Sequence, residues 1–558
     1  MESVALSRNL PVQQVPTPKS LDIRPKPLKA WVAALPVTDT ARSTRVVFAA
    51  LVELNRLQLS PKKRFEALEL LTEPYRHAVQ HLQKSFVGQP FPLRNRKHQS
   101  ARLLQAMQTE LAHAYMTIVA DSIRASKGDN IGDQLISRCL LLAMEQLSQN
   151  IVWSCQFYLE FPFEAWSDVN EIFFLSRASV NEVVHSAEQT QNHKKIILLY
   201  KKISLFWLSS PYALNGGEAA MVVKMLEKWA PLCQVVEPNQ AGNRKEGIVI
   251  DDNTSEPIWH KVSDSKDLPK SGVVLIITEL LKVLANEIRS AESGKSESKD
   301  DVPLEFLLRM SKNFCNPRSR YLVRRKRDTR AEFTIGLGFA HHFISGASSK
   351  NKVQSTVKPV SPANNFSIDF ADKNTSDQKG IWDLKFADSK ASAEEADRQT
   401  KSGPQNAPEK YQCTLMDESA EGYSLHCDNN RLPSVSMGDL VVITDGKAGS
   451  SWSAGIVRWL RSRRKGGMDI GVQLISATVY AISIKNPADT RTKQSRALFM
   501  PESIDQKQSD SILLPPGNYT CGYELITRNQ RKESRIKLLE KLESGPSFQR
   551  FSCSGETH

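Results

Sequence analysis

Apolar residues recur at three- and four-residue spacing from about residue 41 to 235, the pattern of helices that bury one face. Val47, Leu51 and Leu54 share one such face. Ser60-Pro61 reads as an N-cap followed by proline at the first helical position. Behind it Phe65, Leu68, Leu71 and Tyr75 repeat at helical spacing. Leu103, Met107, Leu111 and Ile118 form another stripe, and Leu140, Met144 and Leu147 another. The region predicts an all-α domain of about seven to nine helices at typical lengths. No fixed repeat of tandem-array length runs through it. Ahead of it, residues 1–40 carry Pro11, Pro16, Pro18, Pro25 and Pro27 among polar residues and predict a flexible tail.

Residues 236–315 are mixed and predict a connector. Gly247 to Asp251 suggests a short strand, and Val273 to Ile288 and Leu304 to Phe314 suggest helices. From Arg330 onward the period becomes two. Phe333, Ile335, Leu337 and Phe339 alternate with Thr334, Gly336 and Gly338, which predicts a strand with one buried face. Residues 346–409 then lose all periodicity and are rich in Ser, Lys, Asp, Asn and Ala. A run that long inside a compact domain predicts a disordered insertion.

Strand signals resume at Tyr411. Gln412 to Met416 leads into a turn and Tyr423 to Cys427 leads out. Leu440 to Thr444, Ser453 to Leu460, Met468 to Leu474 and Thr478 to Lys485 follow at short spacing. Such spacing predicts a barrel or sandwich over 316–485. Residues 486–558 predict a small β-rich unit with one helical piece near 535–542. The fold class expected is therefore multidomain α + β: a helical N-terminal domain, an antiparallel barrel and a smaller β unit.

Composition narrows the function. The chain has 558 residues, enough for several cores, with ordinary hydrophobic and charged content. No apolar run reaches the ~18–20 residues that span a bilayer, and the first forty residues lack the apolar core of a signal peptide. A cytoplasmic location is expected. The cysteines show no C-x-x-C or Cys/His metal spacing and are expected to be reduced and mostly buried. Net charge is +13, and two short clusters hold most of it. Arg318 to Arg330 has seven basic residues against Asp328 alone, and Arg458 to Lys465 has five and no acid. A charge run by itself usually marks a solvated face; concentration at two points suggests an anionic partner.

Candidate chemistry gathers at the barrel. The arginine run ends at Arg330, directly before the expected first strand. Downstream, Asp417-Glu418-Ser419-Ala420-Glu421-Gly422 forms a D-x-S-x-x-G turn between two strands, followed by Gly438-Asp439, Gly455 to Trp459 and Gly471 to Leu474. This combination resembles the PilZ family, six-stranded barrels that bind cyclic di-GMP with an R-x-x-x-R loop ahead of the first strand and a [D/N]-x-S-x-x-G turn. The resemblance covers roughly 320–345 and 411–480. It implies a ligand site of Arg324, Arg325, Arg327, Arg330, Asp417, Ser419 and Gly422, with cyclic di-GMP as ligand, no other cofactor and no metal. The chemistry suits these residue types. Arginine forks onto guanine O6 and N7 or onto phosphate and stacks on purine faces. Asp417 can accept from guanine N1 and N2, Ser419 offers a hydroxyl, and Gly422 leaves room for a base.

The family pattern is broken at one place. Four residues before Arg330 stands Lys326, which lacks the planar fork, whereas Arg320 to Arg324 fits R-x-x-x-R literally but further from the strand. Neighbouring Arg325 or Arg327 could take that role. No Walker loop, G-x-S-x-G elbow or H-E-x-x-H motif is present, so an enzyme is not expected. His341-His342 and Asp251-Asp252 lack companions for a metal or calcium site. Three readings stand: a cyclic di-GMP receptor that relays binding to the helical domain or a protein partner; a degenerate PilZ scaffold that binds no nucleotide; and, disfavoured, a nucleic-acid binder using both basic clusters. Trp452 and Trp459, set among apolar neighbours, are expected in the core rather than as stacking platforms.

Overall fold

The computed structural model describes residues 9–36, 38–87, 91–93, 95–124, 132–162, 164–180, 187–237, 247–250, 272–293, 302–315, 324–347, 409–428, 434–445, 451–485, 494–502, 509–529 and 532–555. The chain divides into two compact units, Met1–Arg320 and Tyr321–His558.

The first unit is built on helices α1 (Pro25–Ala33), α2 (Thr40–Arg56), α3 (Pro61–Phe86), α4 (Asn95–Arg124), α5 (Asp133–Gln156), α6 (Ala165–Val180), α7 (Ala187–Leu208) and α8 (Gly216–Trp229). The helical stripes read from sequence meet in one core that includes Leu51, Leu68, Leu71, Met107, Met144 and Leu147. Ser60 stands at the N-cap of α3 with Pro61 behind it, though its side chain makes no capping bond. The expected tail differs. Within 1–40, α1 buries Leu28 completely, Gln14 bridges to Leu57, and Gln13 bonds Arg64 and Asp121. Leu28, with apolar neighbours at helical spacing, was outweighed in the sequence by its flanking prolines.

The expected connector is also part of this core. Strands β1 (Gln234–Val236), β2 (Gly247–Ile250) and β3 (Val273–Ile276) form an antiparallel sheet in the order β1-β3-β2, followed by α9 (Thr278–Glu292) and α10 (Leu304–Cys315). Ile248, Leu275, Leu280, Phe306 and Phe314 join the helical core. The helix expected over 273–288 splits, because the apolar run Val273 to Ile276 is a short buried strand that periodicity alone does not separate from a helix.

The second unit opens with β4 (Arg325–Ile335), α11 (Leu337–Ala347), β5 (Tyr411–Ser419), β6 (Gly422–Cys427), β7 (Leu440–Thr444), β8 (Ser453–Ser462) and β9 (Met468–Ser476). Its strands close into a barrel in the order β4-β5-β6-β9-β8-β7. A second barrel follows from β10 (Tyr480–Lys485), β11 (Ser495–Met500), β12 (Ser511–Leu514), β13 (Glu524–Asn529), β14 (Lys532–Gly545) and β15 (Phe548–Ser554), in the order β10-β11-β12-β15-β14-β13. Numbered within each barrel, both run first-second-third-sixth-fifth-fourth. The two barrels share one topology.

Several expectations change here. The strand expected over 333–339 ends at Ile335. Gly336 takes φ 85°, its N–H donates to the Leu440 carbonyl, and the chain enters α11. His341-His342 therefore sit on a helix, with His341 Nε2 3.1 Å from the Ile482 carbonyl. Strand 480–485, expected in the first barrel, pairs with β11 and β13 of the second. The helical piece expected near 535–542 is strand β14, whose register shifts between Leu538 and Lys541 and again before Glu543. Those bulges scramble its alternation, which explains the helical reading. Of the expected insertion, Gly346 and Ala347 end α11 and Glu409 accepts from Thr334 Oγ1; the rest lies outside the described residues.

Helix α11 and both barrels share a core of Leu337, Ala340, Ile344, Leu440, Trp452, Ile456, Leu498, Leu513 and Phe548. All eight cysteines are free; Cys315 and Cys521 are exposed and the others buried, so the burial expected of them holds for six. Among the described residues, no helix is long and apolar enough to cross a membrane.

Candidate functional site

The arginine run is strand rather than loop. Arg325, Arg327 and Arg330 lie in β4 and Arg324 directly precedes it, whereas the reading from sequence put the run ahead of the first strand. Arg318 and Arg320 lie outside the described residues. The run stays exposed because the strand's buried positions begin only at Ala331.

Antiparallel pairing with β5 brings the run to the motif turn. Arg325 stands across from Glu418 and Lys326 across from Asp417, with a bulge between Lys326 and Thr329. Arg324 Nη1 donates to Asp417 Oδ1 at 2.5 Å. Arg327 Nη2 donates to Glu418 Oε1, and this bond raises the Arg327 pKa, reinforced by the carboxylate's charge. Arg330 does not reach the turn: it pairs across from Thr414.

The turn itself is a tight hairpin. Ser419 pairs with Gly422, and Ser419 Oγ lies 3.4 Å from the Gly422 carbonyl oxygen, to which it donates. Gly422 faces Gln473 on β9, and the Leu474 N–H donates to the Glu421 carbonyl at 2.8 Å. A Cβ on Gly422 would overlap the Val472 carbonyl oxygen, so close strand approach requires glycine here.

Cross-strand pairing lays out the outer face of the barrel. Leu425, Ile470 and Val472 point inward and are buried. The intervening rows point outward: Ser419, Gly422 and Gln473 in one, and Asp417, Ser424, Gly471 and Trp459 in the next. Trp459, expected in the core, lies on this outer face with its indole across Gly471, while Trp452 is buried as expected. Trp452 is buried in the core that α11 shares with both barrels, whereas the bulge at Arg458 sets Trp459 across from Gly471.

The second basic cluster divides. Arg461 and Arg463 cover the buried Asp469 carboxylate, at 3.4 Å and 2.5 Å, beside His426 Nδ1 at 2.8 Å from its other oxygen. Arg458 instead turns toward the ligand-turn side, where its Nε donates to Gln473 Oε1 at 2.7 Å. Arg458, Gln473 and Glu418, which lie beside the motif turn, were not among the site residues expected from sequence. Gln473 stands inside the Gly471 to Leu474 segment already singled out; nothing in the local sequence marks Arg458, whose direction depends on the bulge. Among the described residues, no group of His, Cys, Asp or Glu could hold a metal ion.

Comparison with known proteins matches three consecutive family models in chain order. Residues 26–239 match "Cyclic-di-GMP receptor FimW, N-terminal domain", 248–479 match "Cyclic-di-GMP receptor FimW, middle PilZ domain", and 480–554 match "FimW C-terminal beta-barrel domain". A curated relative, the cyclic-di-GMP receptor FimW of Pseudomonas aeruginosa, is 22% identical over 566 aligned residues, covering 96% of this chain and 92% of the relative. The transition between the middle and last models falls where β10 begins the second barrel.

Proposed function

The chain belongs to the PilZ-domain family of cyclic di-GMP receptors, and on that premise we propose that it binds cyclic di-GMP on the first barrel through Arg324, Arg325, Arg327, Arg330, Asp417, Ser419 and Gly422. One observation carries the assignment. Arginines and motif turn, separated by 93 residues for Arg324 and Asp417, meet in direct ion pairs. The carboxylates hold the guanidinium groups beside the turn while the arginines keep further N–H donors for guanine edges and phosphates. Beyond the turn the outer face continues through Ser424 to Gly471, across which the Trp459 indole lies.

The protein acts as a non-enzymatic cytoplasmic receptor. Binding chemistry suffices for that role, and its helical unit offers the surface for a protein partner. Calorimetric titration of the full chain with cyclic di-GMP tests the site. Saturable binding that Asp417→Ala strongly weakens, in a protein that stays folded, is the expected result. Binding to duplex DNA that collapses with salt, without saturable dinucleotide binding, would instead favour a phosphate-backbone binder.

A further inference from the structure

Arg458 sits where two bulges meet. On β8 the register shifts between Val457 and Trp459, leaving Arg458 as the extra residue. On β14 of the second barrel it shifts between Lys541 and Glu543. Bulges re-aim side chains, and here they aim a cation of one barrel at an anion of the other: Arg458 Nη2 donates to Glu543 Oε1 at 2.5 Å. The same guanidinium donates from Nε to Gln473 Oε1, and Gln473 lies directly across from Gly422 of the motif turn.

We propose that Arg458 contacts the dinucleotide and that Glu543, from the second barrel, is the residue that positions it; this rests on the first barrel being the cyclic di-GMP site. From Gly422 the outer face passes to Gln473, directly across, and from Gln473 to Arg458. Two of the five guanidinium N–H donors are engaged, by Gln473 and Glu543, and the others remain for a ligand oxygen. Gln473 spends its carbonyl on Arg458, which leaves its amide N–H groups for the ligand as well. The Arg458 side chain is 41% exposed and that of Glu543 24%. The positioning carboxylate is thus the more sheltered partner, while the cation stays open to an anion. Planar arginine held at two points suits a phosphate oxygen or a guanine edge. The second barrel has the topology of the first, and by supplying Glu543 it becomes part of the site.

The test is calorimetry with cyclic di-GMP on the full chain, read beside thermal stability. Arg458→Ala should weaken binding by about tenfold or more, and Glu543→Gln by less. The decisive variant exchanges the pair, Arg458→Glu with Glu543→Arg. It should restore stability lost in the single charge reversals and leave binding lost, since a carboxylate now faces the ligand. Recovery of affinity in the exchanged protein would show that Arg458 is only a strut between barrels, and wild-type affinity in Arg458→Ala would do the same. If Asp417→Ala loses binding while Arg458→Ala keeps it, the assignment fails and the receptor reading stands. If the wild-type chain binds no dinucleotide, both fail.

Discussion

Arg324 Nη1 lies 2.5 Å from Asp417 Oδ1, and that contact joins a basic run to a turn motif from a distant part of the sequence. Register explains it. The pairing of Lys326 with Asp417 puts Arg324, directly before β4, within reach of the hairpin. The ion pair is solvent-accessible on both sides, so its worth to folding is small; its consequence is where it leaves the guanidinium.

Asp417→Ala should therefore damage the site twice, by removing an acceptor for guanine and by releasing Arg324. Loss of a charge-assisted contact is worth about 1.5–3 kcal/mol, or roughly ten- to a hundredfold in affinity. Arg324→Ala should fall in the same range, and the double variant should cost less than the two single losses combined. Additive losses in calorimetry would mean that the two groups act separately.

Gly422→Ala should destabilise the first barrel. The added methyl meets the Val472 carbonyl oxygen of the adjacent strand, and backbone cannot swing aside as a flexible side chain can. Forced overpacking of this kind costs about 1–3 kcal/mol. Urea denaturation should show the midpoint falling with an unchanged slope. An alanine variant as stable as wild type would mean that β6 and β9 are not paired this closely.

Much of this architecture was legible in the alternation of residues. Strands β5 to β9 were found because they are short apolar-rich segments that follow one another at close spacing. The D-x-S-x-x-G turn was legible through its resemblance to the PilZ pattern together with the basic run. What was missed depends on partners distant in sequence. Leu28 looked like tail until the helical core covered it, and β14 looked helical because bulges broke its period. Trp459 looked like core because its neighbours are apolar, yet the extra residue at Arg458 turns it outward. Arg330 was expected directly before the first strand, but it lies inside β4, and a strand spaces its side chains along the sheet.

His113 in the helical unit predicts a pH dependence. Its Nε2 lies 3.3 Å from Asp168 Oδ2, and Asn9 holds the other oxygen of that carboxylate at 2.8 Å. Burial pushes the imidazole pKa down, but the Asp168 hydrogen bond and charge, with Glu110 and Glu164, raise it above the ordinary value overall. A raised folded-state pKa contributes stability that is complete below the unfolded value of about 6.5 and is lost as pH rises through the folded one. Melting temperature should decline from pH 6 toward alkaline pH, and His113→Asn should flatten that slope. An unchanged slope in the variant would place its origin elsewhere.

Phe548 is fully buried in the core that α11 shares with both barrels. Truncation to alanine removes packing from each side of that core and should cost about 3–5 kcal/mol. Because the cluster includes Leu440 and Ile456 of one barrel and Leu498 and Leu513 of the other, both barrels should lose stability together. Hydrogen exchange would read this directly, as faster exchange in β7 and β8 as well as in β11 and β12. Acceleration confined to the second barrel would show that the two fold independently.

Lys326 is where chain and family pattern part, and the register gives it a definite place. It stands across from Asp417 on the outer face, while Arg330 stands across from Thr414, three positions farther along β5. At ~3.3 Å per strand residue, Arg330 is roughly 10 Å from the turn along the strand. Lys326→Arg should hold or improve dinucleotide affinity, because it puts a planar fork in the row of Asp417, where a lysine offers only a point charge. Arg330→Ala should still weaken binding if the ligand extends along β4, and Arg325→Ala and Arg327→Ala show which neighbour serves in the place of the missing arginine. Arg464→Ala, in the turn at the opposite end of β8, should change affinity little. Equal, modest losses across all of these variants in calorimetry would mean that the run works as a diffuse positive field rather than a shaped site.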